Sequence, residues 1–491
     1  MEILRKKIAL QLFVILCLGS SYAQTSFYRI FSGSGYDKAE GIAQLADSTY
    51  IVTGSSSSFQ NAPSQALLLK LDKNGFHQWS KVYGGSEFEV GRRVLPVENV
   101  GYYVCGTSSS NNHAFDGYVI FTDLMGNLIW EKWYDINNSW ERINDALLLP
   151  DTSILLLGET TNTPDQLSDR LMIRIDKNGS VHWQQQLNTL GNDFLQKGVL
   201  LNDSTVVVAG TQFNSDSLQN KAYIAAFRTN GMLVWDTLTG KNGNYWLNDV
   251  QLIAGNFIAA GEKIQNGKTD KDDYTIFITN YGLVYAEYDY YAAYDSRIVG
   301  FVNYKAFPGN KIFSGGQSND PNFTFPSGED FILSRCASAY YWDGYGKSYS
   351  GVGQDQMNHI IQTKDSFAIC VGFHSDEGFS PGGNSLFVLK LGSDSNFPSD
   401  NHSTIYSILS LEETSENVAQ VSIYPNPVGN EFTILSEQEI QQLEVVDALG
   451  QPINFVYINS HTIDTQNWKS GVYFLKIQVN NQQYTKKICK Q

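Results

Sequence analysis

The chain has 491 residues, 42% of them apolar, which is too long for one ordinary domain and too apolar for a disordered one. Its 50 acids against 34 bases give a formal charge of −16, a sign that repels nucleic acid and anionic lipid. Only 17% of residues are charged, while Gly reaches 42, Tyr 28 and Phe 27, a bias toward strands and tight turns that predicts an all-β fold.

Arg5, Lys6 and Lys7 precede a nearly continuous apolar run from Ile8 to Leu18, and Ser21-Tyr22-Ala23 supplies small residues one and three places before a cleavage point. The pattern predicts a secretory signal peptide over residues 1–23, cut before Gln24. Lipidation at Cys17 would need a small residue before it, and Leu16 stands there. No later run is long enough to predict a transmembrane helix. Removing the signal leaves 31 bases against 49 acids, a charge of −18. Cys105, Cys336, Cys370 and Cys489 have no metal-ligand spacing and read as small buried hydrophobes, with a disulfide the alternative.

A repeat follows. Ile51-Val52-Thr53-Gly54 returns in segments ending at Gly106, Gly158, Gly210, Gly261, Gly315 and Gly372, spaced 52, 52, 52, 51, 54 and 57 residues apart. A second marker of Asp, Gly and Trp follows the first three glycines, in Asp72 to Trp79, Asp123 to Trp130 and Asp176 to Trp183. Asn230-Gly231 leads to Trp235 in the fourth copy, and Gly282 with Tyr285 is an eroded fifth. Each period holds four short apolar runs between turn residues, which predicts one four-stranded antiparallel sheet per repeat. Seven such sheets make a seven-bladed β-propeller over residues 24–391, with a linear solenoid as the competitor. The last copy lacks its fourth strand, and Phe27 to Phe31 matches that strand, so the N-terminal strand is expected to close the ring. The Asp-x-x-Gly-x-x-x-Trp marker resembles repeats of the pyrroloquinoline-quinone and tryptophan-docking propellers, although no residue matches a quinone or calcium site of that family. Asp72 and Gly75 are three apart, unlike the acid and glycine of a sialidase Asp box.

Seventeen residues before the blade glycines stand Asp37, Glu89, Glu141, Asp193, Asn244 and Asp355, with Asp295 twenty before its own. These side chains are expected to ring the central opening on one face. They are read as acceptors for turn amides, or alternatively as a Ca2+ site, since hard cations take clustered oxygens. No other cofactor is expected. The loops joining second and third strands are long and polar and emerge on that same face, where binding usually lives. They carry His113, Phe115, Phe213, Phe323, Phe325, His374 and Phe379, while Trp140, Tyr245 and Trp246 sit in adjacent interblade turns. Aromatics among Asn and Asp suit carbohydrate or protein recognition. No nucleophile elbow, phosphate loop or zinc-protease motif occurs, and paired carboxylates keep a hydrolase in view.

Residues 392–420 are rich in Ser, Asp, Asn and Glu and read as a linker. Beyond it come Tyr424-Pro425-Asn426-Pro427, then Leu443 to Gly450 with Asp447, then Gly471-Val472-Tyr473, and a basic end at Lys486 and Lys487. Read alone, residues 421–491 form a small Ig-like sandwich. In order and content these motifs resemble the C-terminal sorting domain (type A) of type IX secretion cargo in Bacteroidetes. The resemblance implies Sec export, passage through the type IX machinery, removal of the tail, and a passenger either anchored at the outer-membrane surface or released. The resulting expectation is a monomeric propeller acting as a binding or adhesion module for glycan or protein. The rivals are a polysaccharide-active enzyme with carboxylates in its central depression and a structural surface component.

Overall fold

A computed structural model describes residues 26–490 apart from 60–62, 112–114, 162–166, 290–294, 305–310, 320–329, 339–340, 350–353, 376–382, 393–402, 408–421, 425–427, 436–439, 448–450, 459–461 and 480–481. The expected signal peptide, His113, Phe323, Phe325, Phe379, Pro425, Asn426, Pro427 and Gly450 lie outside the described residues. The chain divides into two compact units, 1–411 and 412–491.

The first unit is all-β and is a β-propeller. Among the described residues, seven antiparallel sheets repeat one plan. Blade 1 takes Asp37–Gln44, Tyr50–Ser56, Gln65–Leu71 and His77–Tyr83, from the centre outward. Blades 2 to 6 begin with Glu89–Val97, Trp140–Leu148, Phe194–Asn202, Gly243–Ile253 and Ser296–Tyr304. Blade 7 takes Asp355–Gln362, Ala368–His374 and Ser385–Lys390, and Phe27–Ser32 is its fourth strand, with Phe27 opposite Lys390 and Phe31 opposite Leu386. The ring is thus closed by the N-terminal strand. The expected linker is not all connector: Ser403–Ser407 pairs in parallel with Phe27–Ser32 and extends blade 7 to five strands.

Middle strands are buried on both faces because each blade is sandwiched between two others. Tyr50–Ser56 is buried at every position, whereas the outermost His77–Tyr83 is half-exposed over most of its length. That explains why the second-strand runs are continuously apolar instead of alternating. The Asp, Gly and Trp marker serves both hairpin and interblade packing. Asp72 Oδ1 accepts the Asn74 and Phe76 amides at 2.8 Å, and Gly75 adopts φ +80°. The tryptophan of one blade lies over the turn glycine of the next: a Cβ on Gly126 would stand 2.8 Å from the Trp79 ring. Trp130, Trp183 and Trp235 stand likewise over Gly179, Gly231 and Gly282, and Phe27 of the closing strand covers Gly75.

The second-strand glycine has a different cause. Every first strand carries a β-bulge, in blade 1 between Ala39 and Gly41 and in blade 3 between Ile143 and Asp145. The bulge drives a carbonyl against the facing residue, so a Cβ on Gly54 would lie 1.8 Å from Lys38 O and one on Gly158 1.8 Å from Arg142 O. In blade 6 the residue facing that carbonyl is Gly316, where a Cβ would lie 2.2 Å from Arg297 O, so the sequence marker Gly315 is one place too early.

The second unit holds a sheet of Ser422–Tyr424, Glu431–Leu435, Val456–Tyr457 and Thr462–Asp464 and another of Ile440–Asp447, Gly471–Val479 and Gln482–Lys490. Phe432, Ile434, Ile463, Leu475, Ile477 and Ile488 are fully buried in one cluster, as a small sandwich requires. Asp447 Oδ1 accepts the Gln451 amide at 2.9 Å.

Candidate functional site

The bulges build the channel. Each turns one extra residue of the first strand toward the propeller centre, giving a tier of Glu40, Arg92, Asn144, Gln196, Asn248, Val299 and Asn358. Directly beneath come Gly41, Arg93, Asp145, Lys197, Asp249, Gly300 and His359. Blades 3, 5 and 7 use these two positions in the same way. Asn144, Asn248 and Asn358 donate through Nδ2 to Leu195 O, Ile298 O and Ala39 O of the next blade at 3.0, 2.9 and 2.9 Å. Asp145, Asp249 and His359 accept the next blade's amide, from Gly198, Phe301 and Ile42 at 2.9, 3.1 and 3.2 Å. Each pair is a two-point clasp between neighbouring blades.

Charge then closes the lower tier across the channel. Arg93 Nε lies 3.1 Å and Lys197 Nζ 3.9 Å from Asp145 Oδ1, and Lys197 Nζ is 3.2 Å from His359 Nε2, which also meets Arg93 Nη1. Burial, with Lys197 and Arg93 adding to it, holds the His359 pKa well below its usual value, so the ring is neutral. The Ile42 amide donates to Nδ1, while Arg93 Nη1 and Lys197 Nζ, which can only donate, face Nε2, a set of donors that favours the uncharged ring. Burial lowers the Lys197 pKa as well, helped by Arg93 and opposed by Asp145 and Asp249. A chamber of about 310 Å³ lies against this tier, and Arg93, Lys197 and His359 also line a second chamber of about 240 Å³.

Toward the loop-bearing face the larger chamber shares Arg92, Asn144 and Gln196 with a depression of about 610 Å³ over blades 3 to 5. Trp140 and Trp246, both half-buried, line it together with Arg142, Glu159 and Asn192. Arg142 faces Glu159 at 3.6 Å and Arg92 faces Glu40 at 3.9 Å. Trp140 packs edge-on against Phe115, with ring centroids 5.2 Å apart, and Phe115 against Phe88 at 6.1 Å. The structure therefore brings two of the sequence-predicted aromatics to one cavity. Tyr245 and His374, expected among the face-bearing aromatics, are buried instead. Tyr245 packs on Tyr274, and His374 lies between Asp355 and Tyr28.

The ring of acids stands at the start of the first strands, and its members bond mainly within their own blades. Asp37 accepts from Ser56, from Ser58 at 2.7 Å and from the Gly33 amide at 3.0 Å. Glu89 takes Ser108 at 3.1 Å and Ser110, Glu141 takes Thr160 at 2.8 Å, and Asp193 takes the Phe213 amide at 2.6 Å with Arg170 3.7 Å away. Asn244 accepts the Asn220 amide at 2.9 Å, Asp295 the Lys271 amide at 2.7 Å, and Asp355 meets His374 Nδ1 at 2.8 Å. Burial raises the Asp37 pKa to about 6 against those hydrogen bonds, and raises Glu89 and Asp193 as well. Among the described residues, the one group of three acids, histidines or cysteines with ligand atoms within 4.8 Å of one another is Asp116, Asp135 and Glu141, so only Glu141 of the ring belongs to such a cluster. Cys105 and Cys370 are buried free thiols.

Residues 422–491 match the family of secretion system C-terminal sorting domains. The chain is type IX secretion cargo. Such a tail directs export to the cell surface or the medium. No curated protein matches the chain significantly. Solved structures similar to it include a polysaccharide lyase of family PL25, an ulvan lyase, with TM-score 0.44, 14% identity, and coverage of 74% of this chain and 96% of the other. They also include Sqt1 from Chaetomium thermophilum (TM-score 0.39, 12% identity, 74% and 98% covered) and the β-propeller domain of the Trilobed protease from Pyrococcus furiosus (0.38, 8%, 77% and 98%). At these scores none carries an activity over to this chain. No helix among the described residues is long and apolar enough to cross a membrane.

Proposed function

We propose that this type IX cargo enters the Sec pathway through the signal peptide at 1–23 and works outside the cell as a carbohydrate-binding module, with the depression over blades 3 to 5 as its site. The observation that carries this is the pairing of Trp140 and Trp246 in one cavity with Arg92, Arg142, Asn144 and Asn192. Indole faces take the apolar C–H face of a sugar ring, and guanidinium and amide groups take its hydroxyls. The depression's volume falls in the range of small-ligand sites, and its walls stand on first strands fixed by the clasps.

The test is retention of the full-length protein on a panel of bacterial, plant and host polysaccharides, with release of reducing ends recorded in parallel. Retention without cleavage, lost in Trp246→Ala by at least roughly thirtyfold, is the expected result. Cleavage of a retained polysaccharide would replace the binding reading with an enzymatic one. Unchanged retention in both Trp140→Ala and Trp246→Ala would move the site elsewhere on the face.

A further inference from the structure

We propose that Asp116, Asp135 and Glu141 form a calcium site at the junction of blades 2 and 3. Asp116 opens the third strand of blade 2, Asp135 follows its fourth strand, and Glu141 lies in the first strand of blade 3. Their ligand atoms all lie within 4.8 Å of one another. That separation is about twice a calcium–oxygen distance of 2.3–2.6 Å, and an all-carboxylate donor set selects a hard cation. Magnesium fits less well, since it demands near-ideal octahedral geometry at shorter distances.

Glu141 supplies the independent observation. It is fully buried, its Oε1 accepts from Thr160 Oγ1 at 2.8 Å, and its Oε2 is buried with no hydrogen-bond partner. The Ile136 amide lies near enough to favour the charged form without making a hydrogen bond of normal geometry. A buried carboxylate oxygen left bare is costly unless something positive meets it. Burial, with Asp135 and Asp116 adding to it, raises the Glu141 pKa to about 8. The repeat makes this junction distinctive: between blades 1 and 2 the corresponding residues are Gln65, Gly84 and Glu89. A Cβ on Gly84 would stand 2.1 Å from Glu89 Oε2, so a side chain at that place points at the buried carboxylate, and Asp135 occupies it here. The Asn clasp of blades 3, 5 and 7 is missing at this junction, because blade 2 carries Arg92 and Arg93 at the bulge. A bound ion would brace it beside Trp140, which is independent of whether the depression takes carbohydrate.

The experiment uses full-length protein freed of metal with a chelator. Terbium luminescence excited through tryptophan, with Trp140 adjacent to Glu141, reports occupancy, and calorimetry measures calcium directly, without glycan. Expected are saturable calcium binding with Kd of about 1 mM or tighter, displacement of terbium by calcium, and at least tenfold weaker binding in Asp135→Asn, roughly the effect of losing one charged ligand. Asp135 is exposed, so that variant tests the site even if Glu141→Gln does not fold. Absence of saturable binding through the low millimolar range, or equal calcium affinity in Asp135→Asn, would overturn the proposal.

Discussion

Asp145 holds the lower channel tier together, and Asp145→Asn tests that directly. The carboxylate is nearly fully buried, stands 3.1 Å from Arg93 Nε and accepts the Gly198 amide at 2.9 Å. Asparagine keeps the size and an acceptor for the amide, so the change removes charge and little else. Arg93 cannot lose its proton, and stripping one partner from a buried ion pair costs about 3–5 kcal/mol. A propeller of about 370 residues has an unfolding entropy near 0.8 kcal/mol per kelvin, so Tm should fall by about 4–6 °C. Differential scanning calorimetry of the propeller transition reads this. Glu40→Gln is the control: its pair with Arg92 is longer at 3.9 Å and both side chains are partly exposed, so the expected shift is about 1 °C or less. Adding Arg93→Met to Asp145→Asn should recover part of the loss, because the guanidinium is then no longer buried without its carboxylate while the asparagine still accepts the Gly198 amide. A shift for Asp145→Asn no larger than that for Glu40→Gln would refute the tier as a stabilising network.

Gly126→Ala forces a Cβ into a φ of +75° and to within 2.8 Å of the Trp79 ring, for an expected loss of about 2–3 kcal/mol, or roughly 3–4 °C. Gly267→Ala shares the positive φ but meets nothing within 4 Å, so calorimetry should show only about half that loss. His359 is neutral when folded and protonates near its ordinary value when unfolded, so its contribution is present above about pH 6.5 and fades as pH falls below it. Between pH 7.5 and 5.5 the native protein should lose about 1.4 kcal/mol more than His359→Phe, a comparison in which the opposite effect of the raised Asp37 carboxyl cancels. An equal loss in the two would remove His359 as the source. Deleting residues 421–491 should strand the propeller inside the outer membrane, read by fractionation, and normal export of the truncated chain would count against sorting by the tail.

The blade pattern was legible in the sequence because one geometric demand recurs at every turn of it. The first-strand bulge aims a carbonyl at the second strand, and glycine is the residue that fits, so Gly54, Gly106, Gly158, Gly210, Gly261 and Gly372 survive as markers. Blade 6 misleads because Gly315 and Gly316 are adjacent and only the second faces the carbonyl. The acidic ring was legible as a spacing, but its partners depend on Ser56, Ser108 and Thr160, each nineteen residues further on, opposite the acid in register. Twelve or thirteen residues before the blade glycine stand Arg93, Asp145, Lys197, Asp249 and His359. Their chemistry changes from blade to blade, so no repeated residue type announces the channel. What does recur is Asn before an acceptor, at Asn144-Asp145, Asn248-Asp249 and Asn358-His359, a signal visible only once the bulge is known. Ser403–Ser407 gave no such signal, because its pairing exists only through the edge that the N-terminal strand exposes.

Seven is odd, so a clasp on every second blade cannot run evenly around the ring. Blades 3, 5 and 7 reach to 4, 6 and 1, which leaves blade 2 between two blades with no clasp on either side. Arg93 stands there, bridging to Asp145 across the junction with blade 3 that the clasps skip, and across the channel to His359 on blade 7. The clasp from blade 7 meets blade 1 at the joint where the ring is closed only by pairing of the chain's two ends. Asp355, His374 and Tyr28 add a buried chain of contacts to the closing strand at that same joint. The closing strand can be peeled off without breaking a covalent bond, so the joint needs interactions that form only when the strand is seated. The clasp of blade 3 starts four residues beyond Trp140 and that of blade 5 two beyond Trp246, so each indole stands on a first strand tied to the blade that follows it.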